Sequence, residues 1–156
     1  MQSRTESGFS LIEVMITSFI LAVGLLGIVA LQGIAKKSLA DTDKQIQASF
    51  LARTALEELR ADTRWLTTNS SAAQNTVITD ILTNAASSAS INNMALCRNI
   101  TGLGSGSGTV TFAVSWQIQN AASSSAAANG AECGQAIDPA INRRQVVLTS
   151  LISGAI

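Results

Sequence analysis

The sequence predicts an α+β fold. A long N-terminal helix, with a membrane-spanning half and an amphipathic half, packs on a small antiparallel β-sheet. Three observations carry this. An apolar run, GFSLIEVMITSFILAVGLLGIVAL, extends from Gly8 to Leu31, and its single charged residue is Glu13. Helical spacing then continues to Leu66, with no glycine or proline after Gly33. Further on the period changes: Val110, Phe112, Val114, Trp116 and Ile118 alternate with small or polar residues, as a half-buried strand requires.

The apolar run is long enough to span a membrane. About 20 mainly apolar residues cross a bilayer core at about 1.5 Å per residue. From Val14 to Leu31 no side chain is ionisable. Glu13 stands out because a charge at the centre of a membrane helix costs roughly 2.5–3.5 kcal/mol on insertion scales, and less near its end. Two readings fit it. Glu13 occupies the first helical turn, where the dipole favours an anion. Or it has a dedicated partner, as intramembrane charges usually do. Gly24 and Gly27 each weaken the helix by up to about 1 kcal/mol relative to alanine in water, and they permit close helix packing.

The residues before Glu13 sharpen the reading. Met1 to Ser7 is short and polar, and G-F-S-L-I-E-V follows, with glycine, phenylalanine and glutamate at Gly8, Phe9 and Glu13. This string resembles the processing site of type IV prepilins. The resemblance implies that residues 1–8 are a leader, which prepilin peptidase removes between Gly8 and Phe9 on the cytoplasmic side. It implies N-methylation of Phe9. It makes Glu13 the subunit-assembly residue, its carboxylate meeting the N-terminal amine of a neighbouring subunit. A lone charge in a helix core is costly, whereas a pair in register is tolerable.

The chain is most similar to type IV pilus minor pilins of the PilV type. The similarity rests on GFSLIEVMI, on the continuation AVGLLGIVALQ, on the linker helix and on the late stretch RRQVVLTSLI. It implies a pilin-like fold. Residues 9–35 are then a transmembrane and fibre-core helix, and 36–156 a periplasmic domain that includes an amphipathic helix over 36–66. The implied location is the inner membrane, single-pass with a cytoplasmic N-terminus, and later the extracellular pilus. The implied partners are prepilin peptidase and other minor and major pilins. The implied role is non-enzymatic: to initiate or modify pilus assembly, and so to support adhesion, twitching motility or DNA uptake. Minor pseudopilins of type II secretion systems share this N-terminal chemistry. A helix-anchored adhesin or DNA receptor is a further alternative.

Two other readings fit parts of the same segment. A secretory signal peptide has an apolar core of about 7–15 residues after a basic start. This run is longer and carries an acid near its beginning, although Gly33-Ile34-Ala35 resembles a cleavage site. A plain single-pass anchor is the other reading. Arg4 precedes the span while Lys36 and Lys37 follow it, so the positive-inside rule does not fix an orientation.

Composition narrows the function classes. A chain of 156 residues suits one domain. Ten basic and ten acidic residues cancel, which argues against nucleic acid and against a cation-binding surface. The acids Asp41, Asp43, Glu57, Glu58 and Asp62 fit a solvated helix face, and Asp80, Glu132 and Asp138 are scattered. No pair is placed by sequence for acid–base work. With no histidine, nothing suggests a cofactor, a metal or a small-molecule substrate.

In chain order, Ala35, Leu39, Ile46, Phe50, Leu51, Ala55, Leu56 and Leu59 recur at helical spacing and define the apolar side of the second half-helix. One helix of about 55 residues would be about 80 Å long. No strict heptad persists, which argues against a coiled coil. Residues 67–75 read as a loop. Thr76 to Asn84 read as a short helix capped by Thr76, and the polar low-complexity stretch 85–93 as a loop. Met94 to Ile100 can form a strand. Gly102, Gly104, Gly106 and Gly108 read as a turn, not a phosphate loop, because a strand follows them. The clearest strand lies within 108–120, with Trp116 on its core side. Residues 121–130 read as a linker and 143–152 as a second main strand.

Cys97 and Cys133 remain. In an exported domain such thiols pair, and a bridge closing this stretch is worth roughly 4 kcal/mol by loop entropy. A metal site would need more ligands, and a catalytic thiol would need a base. The expectation is therefore a disulfide.

Overall fold

A computed structural model describes residues 8, 10–68, 70–102, 106–118, 126–137 and 143–154. Helix α1 runs Leu11–Ala61, followed by α2 Arg64–Thr67, α3 Ser71–Ile81, α4 Thr83–Ile91, β1 Met94–Thr101, β2 Ser107–Gln117 and β3 Arg143–Ser153. The chain divides into two units, Met1–Ala40 and Asp41–Ile156.

In the first unit α1 carries apolar side chains on every side up to Leu31, and each of its residues from Leu11 to Ala40 is exposed. No proline interrupts it. By length and composition it can cross a membrane, and none of its apolar window is buried.

In the second unit α1 is one-sided. Ala48, Leu51, Ala52, Ala55, Leu56 and Leu59 are buried. This corrects the expected stripe, because Leu39, Ile46 and Phe50 are exposed, at 69%, 64% and 70%. Alanines at 48, 52 and 55 bring the helix axis close to its neighbours, and the bulkier side chains fall to either side.

The strands form one antiparallel sheet in the order β1-β2-β3. Met94 stands opposite Trp116 in β1–β2, and Val114 opposite Val146 in β2–β3. Two apolar clusters fill the space against α1. One joins Leu56 and Leu59 with Trp65, Ile78, Val110, Phe112 and Ile152. The other joins Ala48, Leu51 and Ala52 with Ala89, Met94, Val114 and Trp116. Trp116 is thus core, and its indole N–H reaches the Asp41 carboxylate at 3.4 Å. Asp41 is not simply solvated, since its other oxygen pairs with Arg144.

Several boundaries differ from expectation. The helix stops at Ala61, not Leu66. The Asp62 carboxylate accepts from the Arg64 backbone N–H at 3.1 Å and from the Arg64 guanidinium at 2.5 Å, which favours a turn. The Trp65 indole N–H also donates to the Leu59 carbonyl at 3.0 Å, occupying a carbonyl of the helix end. Residues 71–75, expected as loop, belong to α3. Its cap is Ser70, whose hydroxyl accepts from Ala73 N–H, and Thr76 lies inside the helix.

Residues 85–91, also expected as loop, are most of α4. Ala85 and Ala89 recur at the helical interval and are buried, while the intervening serines face outward or are half-buried. Alanine has the best helix propensity, and its small side chain allows close contact. Asn93, at φ 56°, ends the segment before β1.

Candidate functional site

The first candidate is the start of α1. Ser10 begins the helix: its carbonyl accepts from Glu13 N at 2.9 Å and Val14 N at 3.3 Å. Glu13 therefore lies in the first turn, at the positive end of the dipole. Thr17 Oγ1 donates to the Glu13 carbonyl at 2.8 Å and the Val14 carbonyl at 3.0 Å. Ser18 Oγ donates to the Met15 carbonyl at 2.9 Å. These hydroxyls are satisfied within the helix, as an apolar environment demands.

The Glu13 side chain is exposed, and none of the ion pairs among the described residues uses it. Gly8 is exposed too, whereas Phe9 and the leader residues 1–7 lie outside the described residues. A side chain added at Gly8, Gly24, Gly27 or Gly33 would meet nothing within 4 Å. Packing against the described residues therefore does not explain those glycines.

The second candidate is the bridge. Cys97 on β1 and Cys133 are joined, 36 residues apart in sequence. Both are buried, and with Ala113 they form a small cluster on the sheet face away from α1. The segment 126–137 lies along that face as a strap. At the β1 edge, Gly130 N donates to the Arg98 carbonyl at 2.8 Å, and Asn129 Oδ1 accepts from Arg98 N at 2.9 Å. At Gly134 (φ +84°) an added Cβ would stand 2.7 Å from Thr111 Cγ2 and 3.3 Å from Val147 Cγ1, so the backbone itself packs on β2 and β3. The Gln145 amide then donates to the Gln135 carbonyl.

The strap explains a further difference. β2 was expected to bury one face only, but Ala113 and Ser115 are buried as well as Phe112, Val114 and Trp116. It also gives structure to the last residues of the expected 121–130 linker; 121–125 lie outside the described residues. Sequence reasoning missed Asn129, Gly130 and Gly134. The available signal was a pair of glycines close to Cys133.

Three arginines sit in structural roles. Arg98 donates to Thr79 Oγ1 at 2.9 Å, and burial lowers its pKa from the ordinary value. Burial also lowers that of Arg143, which donates to Ser115 Oγ at 3.0 Å. The exposed pair differs: hydrogen bonds from Arg64 hold the Asp62 carboxyl below the usual range. Among the described residues no group of three or more His, Cys, Asp or Glu could hold a metal ion. The described residues thus hold two features: an acid in the first turn of α1, and a strap tied to the sheet by the Cys97–Cys133 bridge.

Comparison with known proteins bears on the start of the chain. Residues 3–29 match the family model for the prokaryotic N-terminal methylation motif. No curated protein and no solved structure matches. The motif implies processing by prepilin peptidase and assembly with other pilins, and suggests a membrane-anchored structural subunit, not an enzyme. Motif and long apolar helix together support a type IV pilin-like or pseudopilin-like subunit.

Proposed function

We propose that the chain is a minor pilin of the PilV type, a subunit that initiates or modifies a type IV pilus. In this reading prepilin peptidase cuts between Gly8 and Phe9, and Phe9 is methylated. The apolar half of α1 first anchors the subunit in the inner membrane and then enters the fibre. Glu13 pairs with the N-terminal amine of a neighbour, which sets the register of the helices. The observation that carries this is the run from Leu11 to Ala40, exposed throughout with an acid in its first turn. Such a surface needs lipid or other helices around it.

A minor pseudopilin of a type II secretion system is the second reading, because the matched motif covers only residues 3–29 and the start of the chain resembles both kinds of subunit. Mass spectrometry of the N-terminal peptide tests what the two share: a chain beginning at methylated Phe9 is expected, and an intact Met1 would overturn both. Glu13→Ala is expected to leave processing intact but to lower incorporation into fibres roughly tenfold or more. Incorporation at the wild-type level would remove the charge pair from the account. Recovery of the wild-type chain from sheared pili, and not from secretion-system fibres, decides between the two readings.

A further inference from the structure

The two edges of the sheet are finished differently. β3 forms one edge, and from Gln145 to Ser153 it carries no charge and no proline. Natural edges are usually blunted by lysine, proline or shortness, because bare N–H and C=O groups invite another strand. At the other edge, β1, the strap uses both outward groups of Arg98: its N–H donates to Asn129 Oδ1, and its carbonyl accepts from Gly130 N. Because Arg98 bonds outward, Phe112 opposite it on β2 bonds to β3 instead, where it faces Leu148. The same alternation turns the backbone groups of Val147, Thr149 and Leu151 away from β2. Among the described residues no backbone group outside the sheet bonds to them. The side chains of Val147 and Leu151 are exposed as well, at 38% and 67%.

The bare edge fits the guarded one. β1 and β3 both run antiparallel to β2, so β3 of one copy would meet β1 of another as a parallel strand, with both sheets facing the same way. In the register that pairs all of β1, Val147 stands beside Cys97 and Thr149 beside Asn99. The Val147 carbonyl would then accept from the Arg98 N–H, and the Thr149 N–H would donate to the Arg98 carbonyl. These are the groups that Asn129 and Gly130 already hold. Blocking one edge suffices, because a head-to-tail contact needs both edges. We propose that the strap is a guard: it shuts β1 against β3 of a second copy of this chain, and the Cys97–Cys133 bridge keeps it seated. The guard uses no residue before β1, so it stands or falls apart from the assembly reading.

The test uses the full chain in mild detergent, with Cys97→Ser and Cys133→Ser combined so that no thiol can cross-link. At equal concentration, light scattering should give particles roughly tenfold heavier than wild type, since an open head-to-tail contact repeats without closing. Hydrogen exchange of the Thr149 and Leu151 amides should slow roughly tenfold in those particles. Adding Thr149→Pro removes an outward N–H and no bond to β2, so it should return the size to that of wild type. Asn129→Ala keeps the bridge and frees the Arg98 N–H; it should raise the heavy fraction roughly fivefold. It keeps the test decisive if circular dichroism shows the double variant unfolded. Wild-type particle size in a folded variant, heavy particles of a folded variant that persist with Thr149→Pro, or unchanged exchange at Thr149 and Leu151 would overturn the proposal.

Discussion

The two halves of α1 meet different surroundings although they belong to one helix. From Leu11 to Leu31 the large side chains Leu, Ile, Val and Phe recur around the helix, and none of the described residues buries them. From Asp41 to Ala61 the buried positions are mostly alanine and leucine on one side, pressed against the sheet and the short helices. The first half turns its apolar side chains outward. The second is hydrophobic for a core it helps to build. Apolar content alone does not separate these uses; what separates them is whether the pattern is one-sided, and how small the buried residues are.

That contrast can be broken by substitution. The largest expected effect is in the second half's core: Trp65→Ala should cost about 3–5 kcal/mol of unfolding free energy, because it removes a fully buried ring and an indole bond to Leu59. Chemical denaturation followed by circular dichroism measures it. Next comes the strap. Cys133→Ser should cost about 4 kcal/mol, and hydrogen exchange should rise at Arg98, whose backbone the strap holds. Loss of stability without faster exchange at β1 would separate the bridge from the strap.

Leu21→Ala, in the other half, should change the stability of residues 41–156 by no more than about 0.5 kcal/mol, since Leu21 is 65% exposed. A large loss would erase the distinction between the halves. The smallest effect belongs to the exposed Asp62–Arg64 turn. Hydrogen bonds from Arg64 depress the Asp62 pKa, so the folded state binds that proton less readily than the unfolded chain. Its contribution is present above the ordinary aspartate range and fades as pH falls through the depressed folded value. Asp62→Asn should therefore differ slightly from wild type at neutral pH and converge with it in acid, as paired melting curves would show.

Legibility followed the reach of each pattern. The 18-residue scale of an apolar span and the period-two run around Phe112 are local, and both are visible without a structure. Helix α4 was not legible, because AASSASI looks like a polar linker until Ala85 and Ala89 are seen against the core. Ser70 as the cap of α3 was obscured by Thr76, which offered an equally good capping side chain further along. Asp41 read as a solvated acid because Arg144 and Trp116, its partners, are more than seventy residues away.

The sequence by itself determined a long apolar helix near the N-terminus, with Glu13 in its first turn, and the main strands. Propensity and period act over a few residues and need no distant partner. Tertiary structure decided which side of α1's second half is buried, why β2 is covered on both faces, and where the strap crosses the sheet. Those outcomes depend on contacts between residues far apart in the chain, such as Gly134 against Thr111 and Val147. Close packing selects among many locally acceptable arrangements only when all of the neighbours are present.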